Sequence, residues 1–97
     1  MSIVRLIYTK FPPSEAAEAE KDWREECAPL MQRQPGCIRE ELLRCTESAG
    51  EYISYSEWSD TASIDAYLQS ADHQEIKRRT RGIKDAEVSV KTYEVIP

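Results

Sequence analysis

The residues between Tyr55 and His73 carry the strongest chemical signal in the chain. A strand-like segment ends in Trp58, and His73, the only histidine, follows fifteen residues later. Histidine titrates close to neutral pH, so His73 is a candidate general base. Trp58 and Tyr67 would supply flat walls to a pocket for a planar substrate. Each residue has a structural alternative, with His73 at a helix end or on the surface and the two aromatic rings in the core.

The composition predicts one small acidic domain. The chain has 97 residues, of which 40% are hydrophobic and 32% charged, with a net charge of −5 and a pI near 4.9. We predict a single domain over residues 1–97. Because phosphate binding requires a basic surface, a nucleic-acid partner is not expected. A membrane is not expected either, because no run of about 18 apolar residues is present.

The cysteines and the first residues favour a cytoplasmic location. Cys27, Cys37 and Cys45 are odd in number and form no CxxC or Cys/His motif, so free thiols are expected and a zinc site is not. The segment from Met1 to Arg5 enters strand-like sequence at once, without the layout of a signal peptide. We therefore expect a protein of the reducing cytoplasm.

The hydrophobic pattern predicts six secondary-structure elements, and proline and glycine residues mark where several of them end. In chain order they are a strand at 3–9, a helix at 16–34, strands at 37–47 and 51–59, a helix broken at 70–72 and ending at Gly82, and a strand at 86–96. Ser14 is the predicted N-cap of the first helix, and Pro29 marks a kink or break within it. Ser59 or Asp60 is expected to cap the second helix.

This order of elements predicts an α+β fold of the ferredoxin-like, split βαβ type. Such a chain forms a four-stranded antiparallel sheet with its helices on one face. The other face is left open, and a second copy of the chain is the economical cover for its apolar residues. We therefore expect a homodimer, with a ligand cavity between each sheet and its helices.

Three motifs resemble the antibiotic biosynthesis monooxygenase family. They are Pro35-Gly36 before the second strand, Glu57-Trp58-Ser59-Asp60 at a strand–helix junction, and the segment from Ala66 to His73. The resemblance covers nearly the whole chain. It implies a ferredoxin-like domain that pairs into a dimeric α/β barrel.

The resemblance also implies an activity. It suggests a cofactor-independent monooxygenase that uses dioxygen to oxidise a quinol-like or polyphenolic small molecule. His73 would be the base, because a deprotonated aromatic substrate can itself reduce dioxygen. By its similarity to polyketide-oxidising members, Trp58 would lie beside the substrate, and Arg78, twenty positions later, would hold the developing anion.

Four further residues are predicted to contact the substrate. Ser54 and Ile64 occupy positions where polyketide-oxidising members of the family have Asn and Tyr, so the chain departs from their pattern there. Tyr67 would form a wall of the pocket. Tyr55 lies on a predicted strand from which its hydroxyl could reach the cavity.

Two other functions remain open at the level of sequence. One is haem binding or degradation, as in another branch of the family. The tryptophan of that branch falls on Tyr67, and its haem-ligating histidine falls on Ile76 or Lys77, neither of which binds iron as an imidazole does. The other is a non-catalytic dimer that binds a small ligand.

Overall fold

Strand β1 (Ile3–Lys10) lies inside a four-stranded sheet, between two strands from later in the chain. The computed structural model describes residues 2–80 and 85–97. Its sheet has the order β2-β3-β1-β4, with β2 at Cys37–Arg44, β3 at Glu51–Trp58 and β4 at Glu87–Glu94. Every pair of neighbouring strands is antiparallel. The predicted antiparallel sheet is confirmed.

The helices lie against one face of this sheet. In chain order they are α1 (Pro13–Asp22), a π-helical segment (Trp23–Cys27), α2 (Ala28–Gln32), α3 (Thr61–Leu68) and α4 (Ala71–Thr80). Burial alternates along β3, where Tyr52, Ser54, Ser56 and Trp58 face the helices. The ferredoxin-like α+β fold expected from the sequence is therefore confirmed.

The first helix is irregular close to the predicted position. Pro29 has no backbone N–H, so it cannot continue the regular ladder of hydrogen bonds. On its N-terminal side, Ala28 N–H donates to the carbonyl of Trp23, five residues earlier, as in a π-helix. The predicted N-cap at Ser14 is wrong, because the helix begins at Pro13 with Pro12 at the N-cap. Proline suits a first helical turn, since its φ is already helical.

Other predicted boundaries move by a few residues. Strand β2 ends at Arg44 instead of residue 47, and Cys45 N–H donates to Glu51 O to close the hairpin. Asp60 caps α3 by accepting a hydrogen bond from Ser63 N–H at 2.8 Å. The sequence predicted either Ser59 or Asp60 as this cap. The predicted end of α4 at Gly82 lies outside the described residues.

Gly36 fixes how the start of β2 meets α3. Its φ is +85°, and a Cβ at this position would lie 2.1 Å from Ser63 Oγ. The Gly36 carbonyl also accepts a hydrogen bond from Ser59 N–H at 2.8 Å. Only glycine provides both the left-handed backbone and the space.

The core lies between the sheet and the helices. Its main cluster consists of Trp23, Cys27, Met31, Trp58, Ile64, Tyr67 and Ile76. In contrast, all eight residues of the edge strand β4 are exposed.

In the described part of the chain, no helix is both long and apolar enough to cross a membrane.

Candidate functional site

Two buried charged side chains lie on the helix-facing side of the sheet. Arg5 on β1 pairs with Ser56 on β3, and Ser56 pairs in turn with Glu40 on β2. These three residues therefore form one row across the sheet, which we call the Arg5–Ser56–Glu40 row. Arg5 and Glu40 are each only 6% exposed. Two ionisable groups buried in the core of so small a domain indicate a function, because burying charge costs stability.

Aromatic rings pack over this row. Trp58 Nε1 donates to Ser56 Oγ at 2.9 Å, and Ser56 Oγ donates to the carbonyl of Arg5 at 3.2 Å. The rings of Trp58 and Tyr67 lie 5.3 Å apart between centroids. The Arg5 guanidinium lies 5.8 Å from the centre of the Tyr67 ring, at cation–π distance. The arginine is thus held between the sheet and an aromatic wall.

The Glu40 carboxyl group is partly satisfied by neighbouring donors. Its Oε1 accepts hydrogen bonds from Ser54 Oγ at 2.7 Å and from Trp23 Nε1 at 3.3 Å. Burial raises the pKa of Glu40 to about 7, although these hydrogen bonds and the charge of Arg5 act in the opposite direction. The carboxyl group can therefore gain or lose a proton near neutral pH.

Burial also shifts the pKa values of Tyr67 and Arg5. It raises the pKa of Tyr67, so this phenol stays protonated. It lowers the pKa of Arg5, against the attraction of Tyr67 and Glu40. An arginine still keeps its charge at neutral pH, so Arg5 supplies a fixed positive charge inside the domain.

His73 lies in the first turn of α4, next to the break that separates this helix from α3. Its backbone N–H donates to Ser70 Oγ at 3.1 Å. Its ring Nδ1 lies 3.0 Å from the carbonyl oxygen of Leu68, and its edge meets the Tyr67 ring with 5.0 Å between centroids. A carbonyl only accepts hydrogen bonds, so Nδ1 carries the hydrogen and the neutral ring has its lone pair on Nε2.

His73, Tyr67 and Arg5 line the same cavity. Its volume is about 50 Å³, and its other walls come from Ile7, Thr9, Trp23, Ile76, Lys77, Thr80, Val88 and Val90. The cavity lies between α4 and the β1–β4 edge of the sheet. A second small cavity shares the residues Ile7, Thr9, Trp23 and Thr80, so the two spaces are neighbours. The cavity thus combines a base, a buried cation and an aromatic wall.

Five of the seven residues predicted from the sequence lie at or near this cluster. Trp58, Tyr67, Ile64 and Ser54 are buried between the sheet and the helices, and His73 is half-buried beside them. Ser54 reaches the cluster through its hydrogen bond to Glu40.

The other two predicted residues point elsewhere. Tyr55 is on the opposite face of β3 from Ser54 and Ser56, where Arg39 lies 5.3 Å from its ring centre. Arg78 is on the exposed side of α4, where its side chain is 68% exposed and paired with Glu75. Neither side chain is brought to the cavity that His73 lines.

Sequence reasoning missed Arg5 and Glu40. A signal for Arg5 was present, because it stands between Ile3 and Ile7 at the inward positions of a period-two strand. Glu40 was harder to find. The pairing of β2 with β3 shifts between Cys37 and Arg39, so a bulge breaks the alternation that would have marked Glu40 as inward.

The described residues offer neither a metal cluster nor an activated thiol near the site. In residues 2–80 and 85–97, no three His, Cys, Asp or Glu side chains could together hold a metal ion. Burial raises the pKa of Cys27 to about 12 and that of Cys37 to about 11, so both remain protonated thiols. A thiol is a far weaker nucleophile than a thiolate.

Comparison with known proteins identifies both a family and a fold. Residues 2–79 match the family model described as antibiotic biosynthesis monooxygenase. No curated protein matches the chain by sequence. Among solved structures, the cofactor-independent oxygenase SnoaB from Streptomyces nogalater is similar, with a TM-score of 0.79 and 16% identity over 99% of this chain and 94% of that one.

Two further solved structures share the fold. A conserved protein from Methanosarcina mazei Go1 has a TM-score of 0.86 and 19% identity, with 97% of this chain and 92% of that one covered. A protein from Bacteroides thetaiotaomicron, described as a "possible oxidoreductase", has a TM-score of 0.86 and 13% identity over 97% of both chains. At these identities the likeness establishes the fold.

Proposed function

Since the chain belongs to the antibiotic biosynthesis monooxygenase family, we propose that it is a cofactor-independent monooxygenase of a quinol-like or polyphenolic small molecule. The observation that carries this proposal is the shared cavity of His73, Tyr67 and Arg5. An oxygenase without a cofactor needs a base to form a substrate anion and a positive charge to stabilise it. Both the base, His73, and the positive charge, Arg5, line this cavity.

His73 is the proposed base. With Nδ1 bound to the Leu68 carbonyl, Nε2 takes a proton from a substrate hydroxyl, and the electron pair of the broken O–H bond stays on the substrate. The resulting anion is electron-rich enough to reduce dioxygen. One oxygen atom then enters the substrate, and the other leaves as water with two hydrogen atoms of the substrate. For a dihydroxynaphthalene, quinol plus dioxygen gives hydroxyquinone plus water.

Arg5 is the proposed partner of the anion. Its charge is fixed and buried, and a charge in a dry site acts more strongly than one in water. Arg78, for which the sequence suggested this role, is in solvent with Glu75. Tyr67 would form the wall of the substrate pocket. Trp58 is fully buried, so it would act by packing behind Tyr67.

Substrate binding must enlarge the cavity. The cavity has a volume of only about 50 Å³. Sites that bury a drug-sized molecule are typically about 300 Å³ or larger. One wall is the edge strand β4, where Val88 is 45% exposed and Val90 is 46% exposed. We propose that the cavity widens on this thinly packed side.

A homodimer is part of the proposal. Exposed large hydrophobic residues occur along the edge strands and after β4, namely Ile38, Leu43, Val88, Val90, Tyr93, Val95 and Ile96. A second copy of the chain would cover part of this surface. Light scattering should give a mass of twice 11.2 kDa. A mass near 11.2 kDa would contradict the dimer but would not contradict the proposed oxygenase activity.

Isotope incorporation tests the activity. The purified protein is incubated with 1,4-dihydroxynaphthalene under ¹⁸O₂, and the product is analysed by mass spectrometry. We expect a hydroxynaphthoquinone carrying one ¹⁸O atom, formed faster than in a protein-free control. Spontaneous oxidation instead yields the unlabelled quinone and hydrogen peroxide. If a panel of such quinols gave no labelled product above the control, the oxygenase proposal would fail for that substrate class. The alternative of a non-catalytic dimer that binds a small ligand would then be favoured.

A further inference from the structure

Two buried polar atoms in the Arg5–Ser56–Glu40 row have no partner. Among the described residues, Arg5 Nη1 and Glu40 Oε2 are the buried side-chain nitrogen and oxygen atoms without a hydrogen bond. Both side chains are more than nine-tenths buried. Folded proteins rarely leave such atoms unsatisfied, because each loses its bonds to water on burial. Here the two unsatisfied atoms belong to one row and have opposite hydrogen-bonding character.

One residue of the row separates the two charged groups. Ser56 is the residue between Arg5 and Glu40, and it carries the smallest side chain of the three. Its hydroxyl is already engaged, since it accepts from Trp58 and donates to the Arg5 carbonyl. The guanidinium and the carboxyl form no direct ion pair, although each affects the pKa of the other. A third group is therefore needed to join them.

The chemistry of the two atoms defines that group. Arg5 Nη1 only donates, and an ionised carboxylate oxygen only accepts. The missing group must therefore offer a lone pair to one side and a hydrogen to the other. A hydroxyl does both through one oxygen atom, whereas an ether or a quinone oxygen can only accept.

On the basis of the proposed function, we infer that Arg5 Nη1 and Glu40 Oε2 form a subsite for an aromatic hydroxyl group of the substrate. The hydroxyl oxygen accepts from Arg5, and its hydrogen is donated to Glu40. Arg5 also lines the cavity of His73, so this subsite shares one residue with the proposed active site. Glu40 would then distinguish hydroxylated substrates from others of the same shape.

The wall around the subsite suits an aromatic compound. Trp23 binds Glu40 Oε1 through its indole N–H, and Tyr67 lies against Arg5. Each of the two charged residues thus lies against an aromatic side chain. An aromatic ring brought in by its hydroxyl would stack on such surfaces.

Equilibrium dialysis under nitrogen tests the subsite without any turnover. The probes are 1-naphthol and 1-fluoronaphthalene, which have nearly the same shape and differ in the hydroxyl group. At pH 8 we expect the wild-type protein to bind 1-naphthol about tenfold more tightly or better. Glu40→Gln should reduce this preference to about threefold or less, by weakening 1-naphthol binding alone. The control Glu41→Gln changes an exposed neighbour on β2 and should keep the wild-type preference.

The outcomes separate the subsite from the oxygenase. Equal binding of the two probes, or a full preference in Glu40→Gln, would overturn the subsite even if the protein incorporates ¹⁸O. A preference that depends on Glu40 would support the subsite even if no oxygen is incorporated. If circular dichroism shows that Glu40→Gln is unfolded, Arg5→Lys is measured in its place. If that variant is unfolded as well, the wild-type ratio decides, and a ratio near one refutes the subsite.

Discussion

The ring Nδ1 of His73 lies 3.0 Å from the carbonyl oxygen of Leu68, across the break between α3 and α4. In an uninterrupted α-helix that carbonyl would accept from the amide of residue 72. Because α3 ends at Leu68 and α4 begins at Ala71, the carbonyl instead meets the imidazole. The break thus sets the tautomer of the only histidine in the sequence.

His73→Ala should remove most of the proposed oxygenase activity. Without the imidazole no base takes the hydroxyl proton, so the rate of ¹⁸O incorporation should fall about 100-fold or more. The matched control is Gln74→Ala, which changes the next, exposed residue of α4. Equal rates for wild type and His73→Ala, with both proteins folded by circular dichroism, would remove His73 from the mechanism.

Glu40 should make the protein less stable as the pH rises. Its pKa is about 7 in the folded state against an ordinary value of 4.5, so the folded state holds the proton more tightly than the unfolded state. The free energy of unfolding therefore falls between pH 4.5 and 7, and the full cost, about 3 kcal/mol, is present above pH 7. The charged groups that act on Glu40 are Arg5 and Glu41.

Glu40→Gln tests this dependence, because glutamine imitates the neutral carboxyl group. In urea titrations the variant should be more stable than wild type at pH 8 and similar to it at pH 4.5. Glu41→Gln, on the exposed neighbour, should show a much smaller difference between the two pH values, because Glu41 is the smallest contribution to the pKa of Glu40. A stability gain that is the same at both pH values would show that the charge of Glu40 is not responsible.

Gly36→Ala should destabilise the fold. The new Cβ would lie 2.1 Å from Ser63 Oγ, and the backbone φ of +85° is unfavourable for alanine. The left-handed backbone alone costs about 1–3 kcal/mol, measured as a loss in the free energy of unfolding. Adding Ser63→Gly should relieve the clash but not the backbone strain, so only partial recovery is expected. Full recovery would mean that the φ angle carries no cost.

Arg79 should stabilise the packing of α4, whereas the adjacent Arg78 should not. Arg79 binds Asp22 on α1 at 2.7 Å and Glu75 on its own helix at 2.9 Å. Its side chain is 30% exposed, while that of Arg78 is 68% exposed and, within residues 2–80 and 85–97, pairs only with Glu75. We expect Arg79→Gln to lower the melting temperature measurably, and Arg78→Gln to leave it close to the wild-type value. Thermal melts of the two variants check this, and equal losses would contradict it.

The order of elements could be predicted because their periodicity is strong. The buried positions of the first helix recur at four-residue steps from Ala19 through Trp23 and Cys27 to Met31. Pro29 marked the irregularity in that helix. The exact N-terminus was missed, because two consecutive prolines begin a helix without a side-chain cap, and the cap residue Ser14 already lies inside it.

The aromatic part of the site could be predicted, and its charged part could not. Trp58 and Tyr67 were found because they flank a strand–helix junction with a recognisable motif. Arg5 and Glu40 are 35 positions apart in the sequence, and only the pairing of β1, β3 and β2 brings them into one row. The position of Arg78 on the exposed side of α4 likewise depends on which face of that helix meets the core, a question that the short apolar pattern around Ile76 leaves open.

The π-helical segment Trp23–Cys27 is a place where this chain could lose one residue during evolution. A π-helix bonds each N–H to the carbonyl five residues earlier, so one turn holds about one residue more than a turn of an α-helix. Deleting one residue from 24–26 would therefore restore a regular α-helix without the rotation of about 100° that a deletion from an α-helix causes. Trp23 would keep its side of the helix and its hydrogen bond to Glu40. A homologue with one residue fewer here would have a continuous α-helix and the same donor for its buried carboxyl group.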